Sequence, residues 1–359
     1  FKIFEIPKFI SSIPILDRKF DLNIRNKKLN FNCYSEFEKF LSKNIPKHLP
    51  LSSIENFKEH INHIFNKFYT SKNYVTSNFW ALNDLYKIHL ALNKNSNKIF
   101  LQHGGVYGQI KYNISELNEI EISDYFLTWG WSKSFKSKYT QKKDSKKIVD
   151  FYSTLLKDKK YKPKKNNNKI LIILDNIPEF NTENSSKYNA ITYKNYLRDI
   201  IKFIKNLKQN LKSKIIVRLY SQDYKKNIYN ILKNKFPQIS FQRSDKNIYE
   251  AFNESKFCII ANNSTSFLEA YSNNVPTILF WTPKTFLPRE NVKKILNEAK
   301  KLKLFFDKPE NLANFLNNDK NDFEKVWKSS LSNNFRKKII YKFANLDKTK
   351  IKKLINILK

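Results

Sequence analysis

The sequence predicts an α/β fold made of two Rossmann-like domains that face a cleft. Strand–helix–strand alternation appears twice along the 359 residues, which predicts two parallel sheets with crossover helices. A Lys-rich polar stretch separates the two regions. The length suits two domains of roughly 150 residues each, and the hydrophobic fraction of 41% is enough to form their cores.

The first domain is predicted over residues 1–156. A helix over 35–44 should end before Pro46, because proline disfavours helix interiors. The next helix should begin at a capping box formed by Ser52 and Glu55. Apolar patterning further predicts strands at 73–78, 97–105 and 124–131, with a helix at 79–94 between the first two.

The stretch 157–168 has no apolar periodicity and contains Pro163, so it is predicted to be an interdomain linker. The second domain is predicted over 169–330, and helices over 331–359 are expected to pack back on the first domain. Within the second domain the expected strands lie at 169–176, 214–220, 239–243, 256–261 and 275–281, and the expected helices at 192–211, 221–236, 247–255, 264–273 and 289–302.

The formal net charge of +35 has two interpretations. A basic chain is typical of proteins that bind nucleic acid or an anionic membrane surface. Here, however, only seven of the 67 basic residues are Arg, and Asn, Ile and Phe are abundant, as an A/T-rich coding bias would produce. Because nucleic-acid readers favour Arg, nucleic-acid binding is not expected, whereas attraction to anionic substrates or lipid headgroups stays open.

Two distant cysteines and the lack of any long apolar run favour a cytoplasmic protein, with peripheral contact to the inner face of the membrane as an option. The chain starts with Phe and contains no Met, so we expect part of its N-terminal domain to be missing.

Three of the four glycines lie in "LQHGGVYGQ", next to His103. Glycine permits positive φ or a close backbone approach, so Gly104 and Gly105 are expected to form a strand-to-loop turn that faces the cleft and meets a ligand. A histidine there could be a general base or could contact a phosphate, and both roles stay open.

A second candidate site lies in "ANNSTSFLEAYSNNVPTILFW". A helix that starts near Ser264 and Thr265, directly after a buried strand, offers free N–H groups and hydroxyls to a phosphate. Glu269, one turn further, could bind ribose hydroxyls. The alternative is an ordinary N-cap followed by an exposed glutamate.

Three further residues are candidates. Arg218 ends an apolar strand, so it should face the ligand crevice or pair with Asp223. Arg289, near a helix start, is a candidate anion contact. Asp124 could act as an acid or base, or simply cap the strand.

Several signatures are absent from the sequence. It contains no Walker A motif, no G-x-G-x-x-G and no D-x-D, so neither a dinucleotide cofactor nor a metal-held sugar nucleotide is indicated. His60 and His63 have helical metal-ligand spacing, but no third ligand is evident. No metal and no cofactor are therefore expected.

The motifs at 102–108, 122–131, 217–224 and 262–281 resemble those of a family of bacterial surface-carbohydrate transferases with the GT-B glycosyltransferase plan. Val106 departs from the family's third consecutive glycine. The resemblance implies a metal-independent glycosyltransferase that uses a nucleotide-activated sugar and a carbohydrate or lipid-linked acceptor. The alternatives are a polyol-phosphate transferase with a CDP donor, and a non-catalytic basic protein that binds nucleic acid or membranes.

Overall fold

The computed structural model describes residues 19–26, 32–67, 70–77, 83–132, 147–156, 160–164, 167–175, 190–220, 227–242 and 247–359. The chain divides into two compact units, Phe1–Lys98 and Ile99–Lys359.

The described part of the first unit is mainly helical. Its elements are α1 (Leu22–Arg25), α2 (Glu36–His48), a 3₁₀ turn (Leu51–Ser53), α3 (Phe57–Lys67), β1 (Asn73–Thr76) and α4 (Asp84–Leu92). Helix α2 begins with a capping box between Ser35 and Glu38, which satisfies two amide groups at its start.

Helix α2 runs through Pro46, so the predicted end before that residue is wrong. The buried Arg25 guanidinium explains this, because it donates to the backbone oxygens of Pro46 (3.1 Å) and Leu49 (2.7 Å) at the helix end. Its other N–H groups bind Glu55 at 2.5 and 2.6 Å. The predicted capping box is wrong as well, because Glu55 is used in this ion pair and Ser52 binds Asp84 instead.

The second unit begins with a parallel sheet. Strand β2 (Asn97–Leu101) pairs with β3 (Tyr125–Thr128), and β3 pairs with β4 (Ile148–Asp150); helix α5 (Ile114–Ile122) lies between β2 and β3 in sequence. The core on one face contains Ile99, Leu127 and Phe151.

A six-stranded parallel sheet follows, in the order β10-β9-β8-β5-β6-β7. Its strands are β5 (Ile170–Ile173), β6 (Ile215–Arg218), β7 (Ser240–Gln242), β8 (Phe257–Ile260), β9 (Thr277–Phe280) and β10 (Phe305–Phe306). The chain moves outward from β5 to β7 and then returns to β8, so the topological switch point lies between β5 and β8. Five of these strands were predicted, whereas β10 was not, because two residues are too few to show a pattern.

The connecting helices are α6 (Ala190–Lys205), α7 (Gln209–Lys212), α8 (Ile228–Lys235), α9 (Ile248–Asn253), α10 (Thr265–Ser272), α11 (Glu290–Lys301) and α12 (Pro309–Asn317). Within the predicted linker, the Tyr161 hydroxyl donates to the Ser255 backbone oxygen (2.7 Å) and the Lys164 amide donates to the Asn253 backbone oxygen (2.9 Å). These described residues therefore lie against the end of α9. The predicted domain boundaries stay predictions.

The chain ends with α13 (Phe323–Lys328), α14 (Ser330–Phe343) and α15 (Ile351–Leu358). Helix α15 packs its apolar face on the first sheet of this unit, with Leu354, Ile357 and Leu358 against the core of Ile99, Leu127 and Phe151. In the part of the chain that the structure describes, no helix is both long enough and apolar enough to cross a membrane.

Candidate functional site

The loop after β2 is anchored by a buried amide. The Gln102 side-chain oxygen accepts from the Trp129 backbone amide (2.8 Å) and from the Trp131 indole N–H (2.7 Å). The same side chain donates to the Gly104 carbonyl at 2.8 Å. Three hydrogen bonds from a side chain that is 2% exposed fix where the loop leaves the sheet.

Gly105 connects this loop to α10. Its amide donates to the Thr265 hydroxyl at 3.0 Å, and its carbonyl accepts from the Gln109 side chain. A Cβ atom built on Gly105 would lie 2.8 Å from both the N and Cα of Thr265, so the backbones touch. Only glycine fits this approach, which places the loop directly on the first residue of α10.

This geometry gives Gly105 a contact within the protein, with the start of α10. The predicted ligand contact of Gly104 and Gly105 stays a prediction. The positive φ in the loop falls at Gly108 (+73°), where a Cβ would also lie 2.4 Å from the Trp131 ring. A Cβ at Gly104 would have only the Tyr107 ring nearby, at 3.7 Å, so that position has room for a side chain.

His103 lies two residues before this contact, and its side chain is 29% exposed. The Tyr107 hydroxyl is 3.2 Å from Nδ1 and 3.3 Å from Nε2 of the imidazole. Burial lowers the pKa of His103 to about 4. The imidazole is therefore neutral at pH 7, which is the form that can accept a proton or a hydrogen bond.

Glu119 lies behind His103 and was missed from the sequence. Its Oε1 accepts from the Tyr107 hydroxyl at 3.0 Å and is 3.4 Å from His103 Nδ1. Glu119 comes from α5, a helix that buries Glu116 and Glu119 while Ile114 and Ile122 are exposed. Burial of these acids is visible only in the folded chain, so no sequence signal marks Glu119.

The start of α10 is polar and has no side-chain cap. Ser264 occupies the N-cap position, but its side chain makes no capping hydrogen bond to the first-turn amides. Asn262 is held by two hydrogen bonds, from its Nδ2 to the Leu174 carbonyl (3.3 Å) and to its Oδ1 from the Ser266 hydroxyl (3.0 Å). Asn263 is 2% exposed, and its Oδ1 has no hydrogen-bond partner among the described residues.

These groups lie at the switch point of the second sheet. Asn262 follows β8 and its Leu174 contact follows β5, the two strands between which the strand order reverses. In open α/β sheets this is where ligands bind. Glu269 is half-buried and lies one helical turn after Thr265, on the same side of α10. The structure therefore brings Gly105 into contact with Ser264 and Thr265, while His103 lies two residues before Gly105 in the chain and Glu269 one turn after Thr265.

Arg218 lies at the carboxyl end of β6 and is 7% exposed. Its Nη1 donates to the Gln242 side-chain oxygen (3.1 Å) on the neighbouring strand β7. This strand pairing places Arg218 on the far side of β5 from β8. The predicted alternative partner, Asp223, lies outside the described residues.

Arg289 contacts an anion that belongs to the protein itself. Its guanidinium binds the fully buried Glu116 carboxylate, and its Nε donates to the Ile110 carbonyl at 3.0 Å. The same carboxylate accepts from the Gly108 amide at 2.6 Å. Burial raises the pKa of Glu116, although the Arg289 charge and the Gly108 amide act against it. The observed role of Arg289 is thus to hold the glycine loop to the start of α11.

Asp124 is not brought to this site. It is exposed and precedes β3, whereas His103 follows the carboxyl end of the parallel neighbour β2. In the strand register Ile99 lies beside Tyr125, so Asp124 is about five residues from the level of His103, or roughly 16 Å at about 3.3 Å per residue. Within the described ranges, no three His, Cys, Asp or Glu side chains are grouped as metal ligands would be.

Solved structures show the same fold. HepE (Alr3699) of Anabaena, in complex with UDP and glucose, matches with a TM-score of 0.51 at 9% identity, over 86% of this chain and 83% of that one. Its complex with UDP-glucose matches with a TM-score of 0.51 at 11% identity, over 86% and 84%. TarM matches with a TM-score of 0.48 at 13% identity, and this chain covers 57% of its length. No curated protein sequence matches the chain.

The predicted fold class is confirmed, because two parallel α/β sheets and the two HepE matches show the GT-B fold. A protein-family model described as "LIC12162 family transferase" matches residues 2–358. The chain therefore belongs to the LIC12162 family of transferases.

Proposed function

We propose that the protein is a metal-independent glycosyltransferase that moves a sugar from a nucleotide-activated donor to a surface polysaccharide or glycoconjugate. Membership of a transferase family and the GT-B fold support this proposal. The observation that carries it is the contact between Gly105 and Thr265, which joins the loop that contains His103 to the start of α10 at the switch point.

The donor's phosphates would bind at the first turn of α10. The amides there have no side-chain cap, and helix N-termini attract anions. The Asn263 side chain would gain there the hydrogen-bond partner that it lacks among the described residues, because a donor hydroxyl can donate to its Oδ1. Glu269 would accept from the ribose hydroxyls, and Arg218 would add positive charge from β6.

The chain's own groups could carry the reaction without a metal. His103 would remove the proton from the acceptor hydroxyl, or would contact the donor phosphate. The helix amides would stabilise the charge on the departing phosphate, as fixed dipoles do in other transfer sites. The absence of D-x-D from the sequence agrees with this arrangement.

The acceptor is proposed to be a carbohydrate or a lipid-linked glycan at the cytoplasmic face of the membrane. The net charge of +35 would attract the chain to anionic lipid headgroups. The same charge would raise the rate of encounter with an anionic donor.

Isothermal titration with CMP, CDP, UDP and GDP tests the donor site. We expect one nucleotide to bind and Asn263→Asp to weaken it tenfold or more, because two negative charges about 4 Å apart repel by roughly 4 kcal/mol near a surface. Asn210→Asp, at an exposed position, is the matched control. If a folded chain binds none of the four nucleotides, the proposal fails.

Product analysis then identifies the transferred group. Sugar transfer leaves both phosphates of a nucleoside diphosphate on the nucleotide, whereas polyol-phosphate transfer from a CDP donor leaves CMP. Tight and strongly salt-dependent binding to DNA or RNA, without nucleotide binding, would instead support a non-catalytic basic protein.

A further inference from the structure

The buried carboxylate of Glu119 lies beside His103. It is 1% exposed and reaches the imidazole both directly, at 3.4 Å from Nδ1, and through the Tyr107 hydroxyl. The other buried acid of α5, Glu116, is already paired with Arg289. Glu119 therefore has a position in which its charge acts on His103.

Proton counting assigns the direction of these hydrogen bonds. Tyr107 has one hydroxyl proton, which it donates to Glu119 at 3.0 Å, so its oxygen can only accept from the imidazole. A neutral imidazole has a single N–H. The Tyr107 oxygen is nearly equidistant from the two ring nitrogens, at 3.2 and 3.3 Å, but Nδ1 is the one that lies 3.4 Å from the Glu119 carboxylate. The N–H is therefore assigned to Nδ1 and the lone pair to Nε2.

We propose that Glu119 is a positioning residue that holds His103, directly and through Tyr107, in the tautomer whose Nε2 is the general base. This inference rests on the proposed glycosyl transfer. Of the two roles open for His103, it selects the general base and not the contact to the donor phosphate. Glu119 itself touches no substrate.

The step it supports is balanced in atoms and charge. The acceptor hydroxyl gives its proton to His103 Nε2, and the oxygen's electron pair forms the bond to the anomeric carbon of the donor sugar. The bond from that carbon to the phosphate oxygen breaks, and its electron pair leaves with the nucleotide. The imidazolium that results has N–H groups on both nitrogens, and the Glu119 carboxylate stabilises its charge.

The groups around the imidazole define the expected pH behaviour. Among the described residues, Tyr107 and Glu119 contact the imidazole, and the uncharged Thr265 contacts the same loop through Gly105. The loop also carries the buried Arg289–Glu116 pair, through the Gly108 amide. Burial holds the pKa of His103 at about 4, and a carboxylate nearby opposes this by stabilising the charged form. Removing the Glu119 charge should lower this pKa further.

Glu119→Gln and Tyr107→Phe test the inference, with Glu121→Gln as the matched control on an exposed face of the same helix. We expect Glu119→Gln to lower kcat about 100-fold, while nucleotide affinity changes less than about twofold. The acidic limb of the kcat–pH profile should move to lower pH. Glu119→Asp should recover part of the loss, and Glu121→Gln should match the unmodified protein.

Nitrogen NMR of the histidines gives a readout that needs neither nucleotide nor acceptor. With His103 assigned by the His103→Ala variant, we expect a protonated Nδ1 and an unprotonated Nε2 at pH 7 in the unmodified protein. We expect both tautomers of His103 to be populated in Glu119→Gln. If that variant does not fold, Tyr107→Phe tests the same point and should show the same mixture.

The two proposals fail in different ways. If no nucleotide binds, the glycosyl transfer fails, and the NMR spectra still report on the tautomer. If nucleotide binds and turnover occurs, but Glu119→Gln equals Glu121→Gln in kcat and in nitrogen shifts, the positioning role is overturned and the transferase is not. A protonated Nε2 in the unmodified protein would also overturn it.

Discussion

Replacing Gly105 with alanine tests the contact on which the site is built. The new Cβ would lie 2.8 Å from the N and Cα of Thr265 and 2.9 Å from the carbonyl carbon of Ser264. Real Cβ atoms essentially never come this close, and backbone atoms cannot turn away as a side chain can. Either the loop or the start of α10 must therefore move.

The size of the effect follows from a comparison with Gly104→Ala. At Gly104 the nearest atom to a new Cβ is 3.7 Å away, an ordinary contact. Neither glycine has a positive φ, so both substitutions gain the same stabilisation of about 0.4–1 kcal/mol from the unfolded chain. This gain cancels in the difference, which leaves the cost of overpacking, about 1–3 kcal/mol.

Urea unfolding of both variants, followed by tryptophan fluorescence, measures this difference. We expect Gly104→Ala to equal or exceed the unmodified protein in free energy of unfolding and Gly105→Ala to fall below Gly104→Ala by about 1–3 kcal/mol. Nucleotide affinity should fall in Gly105→Ala alone. Equal stability of the two variants, within about 0.5 kcal/mol, would refute the close approach of the loop to α10.

The remaining predictions concern stability. Gly108→Ala should destabilise the protein by at least about 1 kcal/mol, because φ at Gly108 is +73° and the Trp131 indole ring occupies the place of the new Cβ. Thermal unfolding of Gly108→Ala compared with Gly104→Ala measures this loss. Arg289→Met should cost about 3–5 kcal/mol in urea unfolding by leaving the buried Glu116 carboxylate unpaired, and a loss below 1 kcal/mol would contradict this. Arg25 holds the pKa of Glu55 at about 2, against 4.5 ordinarily. The stability that the ionised Glu55 gives the fold is therefore present above pH 4.5 and is lost as the pH falls towards 2. In Glu55→Gln the free energy of unfolding should fall less between pH 5 and 2 than in the unmodified protein. An equal fall in the two proteins would argue against the Arg25–Glu55 pair.

Local patterns predicted most of the second sheet. Strands β5, β6, β8 and β9 are short runs of buried apolar residues between helices, and the predicted ranges contain each of them. The same reasoning failed at Pro46 and Glu55. The Pro46 carbonyl and the Glu55 carboxylate both bind the buried Arg25, which lies 21 and 30 residues away from them in the sequence. Contacts at that separation leave no local signal.

The candidate site was predicted in part. The sequence identified His103, because glycine next to histidine after a strand is uncommon in a chain with four glycines, and it identified Ser264 and Thr265 from the strand-to-helix change. It also selected Arg289, but the structure pairs that side chain with Glu116. Glu119 had no motif of its own, so only its position behind the imidazole shows what it could do.

The sequence by itself determined five strands of the second sheet and most of the helices between them, because periodicity and capping act over a few residues. Tertiary structure alone decided which of their ends meet. Gly105 and Thr265 are 160 residues apart, and Arg289 and Glu116 are 173 apart, so neither contact follows from any local preference. Both depend on how the parallel strands are ordered and on how closely two backbones can approach where one residue lacks a side chain.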